Sequence, residues 1–391
     1  MTVEHPVAAY ARSVGETIES RWVARRYHAG AFPALATAVL AEVPVPDGVD
    51  AHGVLHYAAT DRRLPYQEDG RAEFGQPPLT LYRSRDFFVS ALYWLDGTTS
   101  VHQHGFSGAF RVLAGGSLHV PHGWETDEEI TDRLRIGRLS VGGPEILRVG
   151  DVRMIEPGAG LIHSLFHLDR PSVTIVVRTY RNPSGQPQYC YLKPGLSFDP
   201  FARDRTLDRR IQAVLTLADV DRVAGTEAAA CFVAGEDFWA TFLLAQRWEA
   251  SFGAANLEPL LEAAVRRHGS LAEALRTTLI ESSRIRTLAA RRRLLSDPDH
   301  RVLLAMALNL PDAASIRTAL EQRYPGSDPG DLLATWIEQL ASPALRGLSG
   351  INMAEADLVR LTAELRAGSA DGLGALRLDG RAPEVVEHLL R

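Results

Sequence analysis

The sequence predicts a multidomain α+β protein in which a β-barrel stands between a short helical segment and an all-α half. Over residues 7–42 apolar residues recur at intervals of three and four, the spacing of a helix with one buried face. From Leu79 to about residue 182 the pattern changes to short runs rich in β-branched and aromatic residues, divided by Gly, Pro and Asp. Many short strands with close turn signals argue for a sandwich or barrel. Beyond about Pro200 the helical period returns and persists. The expected organisation is therefore 1–78 helical segment and linker, 79–195 barrel, and 196–391 α-helical domain.

The elements follow in order. The Pro-, Gly- and Asp-rich stretch VPVPDGVDAHG closes the first helical region, and the polar stretch at 56–78 is expected to be loop. Strand-like runs then include TSVHQHG, AFRVLAG, GSLHVPH, LRIGRLSV, LIHSLFHL and SVTIVVRTY. The acidic run ETDEE at 125–129 is expected to be a solvated loop. In the C-terminal half, Asp, Ser and Pro stand at helix starts and Gly at several ends. The arginines at 291–293 fall in a helical pattern and are expected on its surface.

Lys and Arg number 42 against 48 Asp and Glu, for a net charge of −6. This lacks the basic excess of a nucleic-acid binder. Two cysteines, Cys190 and Cys231, cannot build a disulfide framework, which points to a reducing compartment. Both are expected to be small buried residues. The first residues are charged and lack the apolar core of a signal peptide, and no stretch reaches the length of a membrane helix. The expectation is a cytoplasmic protein with no membrane and no nucleic-acid partner. The helical half carries no catalytic motif; covering the barrel mouth, homodimer formation and partner binding all stay open.

One segment carries chemistry. His102 and His104 are two apart on an expected strand, so period-two alternation sets both imidazoles on one face. That is how two adjacent metal ligands must lie. Further on, Gly150 and Asp151 suit a turn, Pro157, Gly158 and Gly160 a tighter one, and His163 begins another strand. A barrel can bring His163 opposite the first two.

These two segments resemble the pair of cupin motifs, with Gly97, His102, His104 and Gly116 matching the first and Gly150, Pro157, Gly160 and His163 the second. The resemblance covers roughly residues 79–182 and implies a cupin barrel, or double-stranded β-helix. The carboxylate ligand usual in the first motif is missing, since Gly108 and Ala109 occupy its region, and His167 stands where an Asn is common. Three neutral imidazoles suit Zn, Cu, Ni or Fe. Among cupins, a three-His set resembles the thiol dioxygenases, which implies Fe(II) and O2 acting on a small substrate. The same resemblance singles out Tyr180, seventeen residues after His163, as a phenol near O2 or substrate. Arg178 shares Tyr180's strand parity and is a candidate for holding an anionic group. Arg83 and Arg85 are further candidates, His167 shares the strand parity of His163 and is a candidate site residue facing the cavity behind the ligands, and His119 is expected to point inward. A non-redox enzyme using Zn, Ni or Mn and a ligand sensor with a helical effector are the competing readings.

Overall fold

The computed structural model describes residues 4–68, 75–95, 100–180, 185–351 and 353–368. The β-branched and aromatic runs form β1 (Pro78–Arg83), β2 (Phe87–Trp94), β3 (Val101–His104), β4 (Gly108–Ala114), β5 (Ser117–Thr131) and β6 (Leu134–Val141). They continue as β7 (Glu145–Leu147), β8 (Val152–Ile155), β9 (Gly158–His167), β10 (Ser172–Thr179), β11 (Cys190–Leu192) and β12 (Leu196–Phe198). One sheet has the order β1-β2-β10-β4-β8 and the other β6-β12-β11-β3-β9-β5-β7. Because β5 also pairs with β6, the second sheet closes on itself.

Alternation along the strands decides what each face meets. On β10, Val173, Ile175 and Val177 are fully buried against the N-terminal helices, whereas Thr174, Val176 and Arg178 turn towards a cavity between the sheets. Those helices are α1 (Pro6–Val23), α2 (Phe32–Glu42) and α3 (Ala51–Thr60). Helix α1 approaches β1 so closely that a Cβ on Gly15 would lie 2.2 Å from the Tyr82 ring. Residues 56–60, expected as loop, are instead the second half of α3. Asp50 caps its start by accepting from the backbone of His52 and Gly53, and Val54 and Tyr57 bury its inner face. Residues 69–74 of the expected linker lie outside the described residues.

The C-terminal half is helical as expected. It comprises α4 (Arg205–Val220), α5 (Arg222–Gly235), α6 (Phe238–Phe252), α7 (Glu258–His268) and α8 (Leu271–Leu294). After these come α9 (Pro298–Asn309), α10 (Ala313–Arg323), α11 (Pro329–Leu340), α12 (Arg346–Ser349) and α13 (Glu355–Arg366). Asp204, Asp221, Asp237, Asp297, Asp312 and Asp328 each cap a helix by accepting from its first-turn amides. These helices share cores with the barrel. Leu134 and Leu196 join the core of α4–α8, while Leu118, Val120, Phe166 and Leu168 join that of α8–α13. The outer face of the second sheet is thereby covered. Among the described residues no helix is long and apolar enough to cross a membrane.

Three further expectations fail. ETDEE is not a loop but the exposed end of β5, where Glu125 and Asp127 meet Arg138 at 2.9 and 3.0 Å and Glu129 meets Arg135 at 3.2 Å. A basic neighbouring strand balances the acidic one. Arg292 is buried, with its guanidinium 4.4 Å from the Phe166 ring centre and donating to the His167 carbonyl. Cys231 is exposed, while Cys190 is buried.

Candidate metal centre

His102 and His104 alternate onto the inner face of β3, and His102 stands directly across from His163 on β9. A register irregularity after Gln103 draws His104 towards the same point. The three ring centres form a nearly equilateral triangle with sides of 4.7, 4.9 and 4.9 Å. One nitrogen from each ring lies within 4.8 Å of the other two, and no carboxylate joins this cluster among the described residues.

The outer nitrogens show which way the inner ones face. His102 Nδ1 donates to the Ser100 carbonyl at 2.8 Å. His119 Nδ1 lies 2.5 Å from Glu145 Oε1, and a carboxylate can only accept. A His119 ring that carries its proton on Nδ1 accepts at Nε2. His163 Nδ1, 2.8 Å away, donates to it. The Nε2 lone pairs of His102 and His163 are then directed at the centre. His104 Nε2 lies 2.9 Å from His163 Nε2, and His104 Nδ1 is buried with no hydrogen-bond partner among the described residues. Two imidazole nitrogens about 2.1 Å from one ion, at about a right angle, stand about 3 Å apart. The donor set thus fits a divalent metal on three histidines.

Electrostatics agrees with that use. Burial, and then the neighbouring imidazoles, hold His104 and His163 well below the ordinary histidine range, and burial also lowers His102. Neutral imidazoles are the ligand form. Glu145 is pulled down to about 2, first by its bond to His119 and then by Arg153, which grips both of its oxygens. A fixed negative charge thus stands two side chains behind the centre.

The rings open on a cavity of about 200 Å³ between the sheets. Its walls are mainly apolar, with Leu92, Trp94, Phe106, Phe110, Ile155 and Val176 among them. Gln188 and Thr174 add polar groups and Arg178 adds a cation. The Arg178 guanidinium sits 4.6 Å from the Phe88 ring centre and 5.5 Å from that of Phe106.

Topology, ligand strands and cavity together settle the fold. The barrel is of the cupin type. No family model matches the chain, and no curated protein matches it. Among solved structures, it is similar to a cupin-2 domain protein from Shewanella frigidimarina at 12% identity and a TM-score of 0.19, covering 27% of this chain and 81% of that one. A hydroquinone 1,2-dioxygenase from Sphingomonas sp. is similar at 10% identity and a TM-score of 0.21, covering 27% and 67%. A DMSP lyase from Ruegeria pomeroyi is similar at 16% identity and a TM-score of 0.22, covering 40% and 75%. Those activities belong to those proteins.

The other expected site residues divide. Arg178 lines the cavity, whereas Tyr180 does not. Tyr180 is 38% exposed, stacks on Phe88, and bonds through its hydroxyl with Arg83 and Glu68. Arg83 is held by Glu68 at the same outer position, and Arg85 is exposed. His167 is buried behind the cavity wall, stacked 4.5 Å from Trp94 and bonded to Ser117 at 2.9 Å. It does not line the cavity, but Trp94, on which it stacks, does. Gly97 of the first motif lies outside the described residues. Sequence reasoning missed Glu145, Arg153 and Gln188, none of which carries a motif.

Proposed function

We propose that this chain is a non-haem Fe(II), O2-dependent oxygenase acting on a small molecule, with His102, His104 and His163 holding the iron. The observation that carries this reading is the three-imidazole triangle, joined by no carboxylate among the described residues, facing an apolar cavity. Iron held by these three histidines would supply the redox chemistry for the reaction of a substrate with O2.

The chain's own residues would do the rest. Trp94, Phe106 and Phe110 exclude water from the cavity, and Arg178 holds an anionic group of the substrate. His119 and Glu145 keep the His163 ring in the orientation that directs Nε2 inward. The supported substrate class has a small apolar body and one acidic end. Amino-acid-derived thiol acids fall within it, although Tyr180 offers that narrower reading no support.

The test is metal analysis and an oxygen-electrode trace on protein loaded anaerobically with Fe(II), using a panel of small thiol, amino and aromatic acids. The expected result is about one iron per chain, absent from His163→Ala, with O2 uptake that requires one class of acid. Tightly held zinc with a flat oxygen trace across the panel would replace oxygenation with Lewis-acid chemistry.

A further inference from the structure

A second cavity, of about 220 Å³, lies on the opposite face of the metal-bearing strands. Val101 and Ser164, the neighbours of His102 and His163, form part of its floor. By strand alternation they point away from the first cavity. Helices α6, α8 and α9 roof it through Gln246, Ser282, Arg286 and Asn309. Lys193, just beyond β11, and His122 of β5 complete the polar lining, while Leu192 and Ile285 supply apolar wall.

The charges here do not cancel. Arg286 is paired with the buried carboxylate of Glu249. Lys193 has no such partner among the described residues. The acid that acts on it from a distance, Glu281, is gripped by Arg284 at 2.6 and 2.8 Å. Burial pushes the Lys193 ammonium below its usual range. Lys193 is half-buried at the cavity wall, and an anion beside its partly desolvated ammonium would gain a charge-assisted contact.

We propose that this cavity is a second binding site, for a small organic carboxylate whose acid group pairs with Lys193. One uncompensated positive charge matches a single carboxylate better than a phosphate dianion. Gln246, Ser282 and Asn309 offer hydrogen bonds for further polar groups, and Leu192 and Ile285 pack the carbon body. The occupant touches the backs of the strands that carry His102 and His163 and is distinct from any substrate beside Arg178.

The experiment uses the full chain freed of metal by a chelator, so its result does not depend on the oxygenase reading. Acetate, propionate, benzoate and lactate are titrated by calorimetry against wild type, Arg178→Met, Lys193→Met and Ser282→Phe, with inorganic phosphate as the comparison anion. At least one carboxylate is expected to keep a binding event in Arg178→Met, which removes only binding beside Arg178 in the first cavity. Its affinity should fall roughly ten- to hundredfold in Lys193→Met and be lost when Ser282→Phe fills the space. If Lys193→Met does not fold, the Ser282→Phe comparison decides alone. Absence of any carboxylate binding event from Arg178→Met, survival of that event in both lining substitutions, or tighter binding of phosphate than of every carboxylate at it would each overturn the proposal.

Discussion

His119 Nε2 stands 2.8 Å from His163 Nδ1, and the far side of the same ring stands 2.5 Å from Glu145. The two histidines are diagonal neighbours on paired strands, since His119 faces Leu165 and His163 faces Pro121. Glu145 lies directly across from His119 on the other side of β5. A carboxylate–histidine–histidine chain thus ends on a metal-facing nitrogen. Removing a partner behind a metal-bound histidine costs about ten- to hundredfold in metal affinity. His119→Ala should weaken Fe(II) or Zn(II) binding by that order, and Glu145→Gln should weaken it in the same direction. Competition with a chromophoric chelator measures both, with the melting temperature of the metal-free protein as control. Wild-type affinity in both variants would remove the chain from the site's design.

Gly108 stands in the region of the missing carboxylate ligand, and the reason no side chain stands there is steric. A Cβ at this position would lie 1.9 Å from the Val177 carbonyl oxygen, on the strand paired with it. Gly108→Ala should therefore destabilise the protein by about 1–3 kcal/mol through overpacking. Gly108→Glu should fold no better and should not yield a four-ligand site. Denaturant titration of the alanine variant, read at its midpoint, checks the first statement; an unchanged midpoint would contradict it.

Legibility in the sequence followed physical range. Alternation and helical period are local, so the barrel, the helical half and the shared face of His102 and His104 could be read directly. His163 came from a turn and strand pattern. Register is not local, and the pairing of His119 with Glu145 depends on register alone. Tyr180 shows where parity arguments end. It shares parity with Arg178 and stacks on Phe88, which lies across from Arg178, yet it stands one step past the end of β10, so its hydroxyl meets Arg83 and Glu68 beyond the cavity. Arg292 reads as one of three surface charges because an amphipathic pattern cannot show that a neighbouring barrel face will cover it.

Arg178 and Tyr180 give opposite forecasts. Arg178 lines the cavity beside the histidines, and its charge contributes to the lowered His104. With an acidic substrate, Arg178→Met should raise KM by roughly ten- to hundredfold, the value of a charge-assisted contact. Tyr180→Phe should change steady-state turnover by less than about twofold, since its hydroxyl is spent on Arg83 and Glu68 outside the cavity. Kinetics on the two variants side by side decides; a large kcat loss in Tyr180→Phe would return the phenol to the chemistry.

His167 makes stability fall with acid. Burial, and then the nearby Arg292, hold its pKa down to about 3, and burial holds His122 down to about 4. In the unfolded chain both titrate near 6.5. Above that value both states are neutral and neither group affects stability. As pH falls below it, the unfolded state takes up protons that the folded state refuses, so stability drops by up to about 1.4 kcal/mol per pH unit for each group. The loss from His122 levels off near pH 4 and that from His167 near pH 3. His167→Gln removes one titrating group, so its stability should fall less steeply between pH 6.5 and 4 even though it starts lower for want of the Trp94 stack. Denaturant midpoints of metal-free wild type and variant across that window test this; parallel curves would mean that His167 is already protonated in the folded protein.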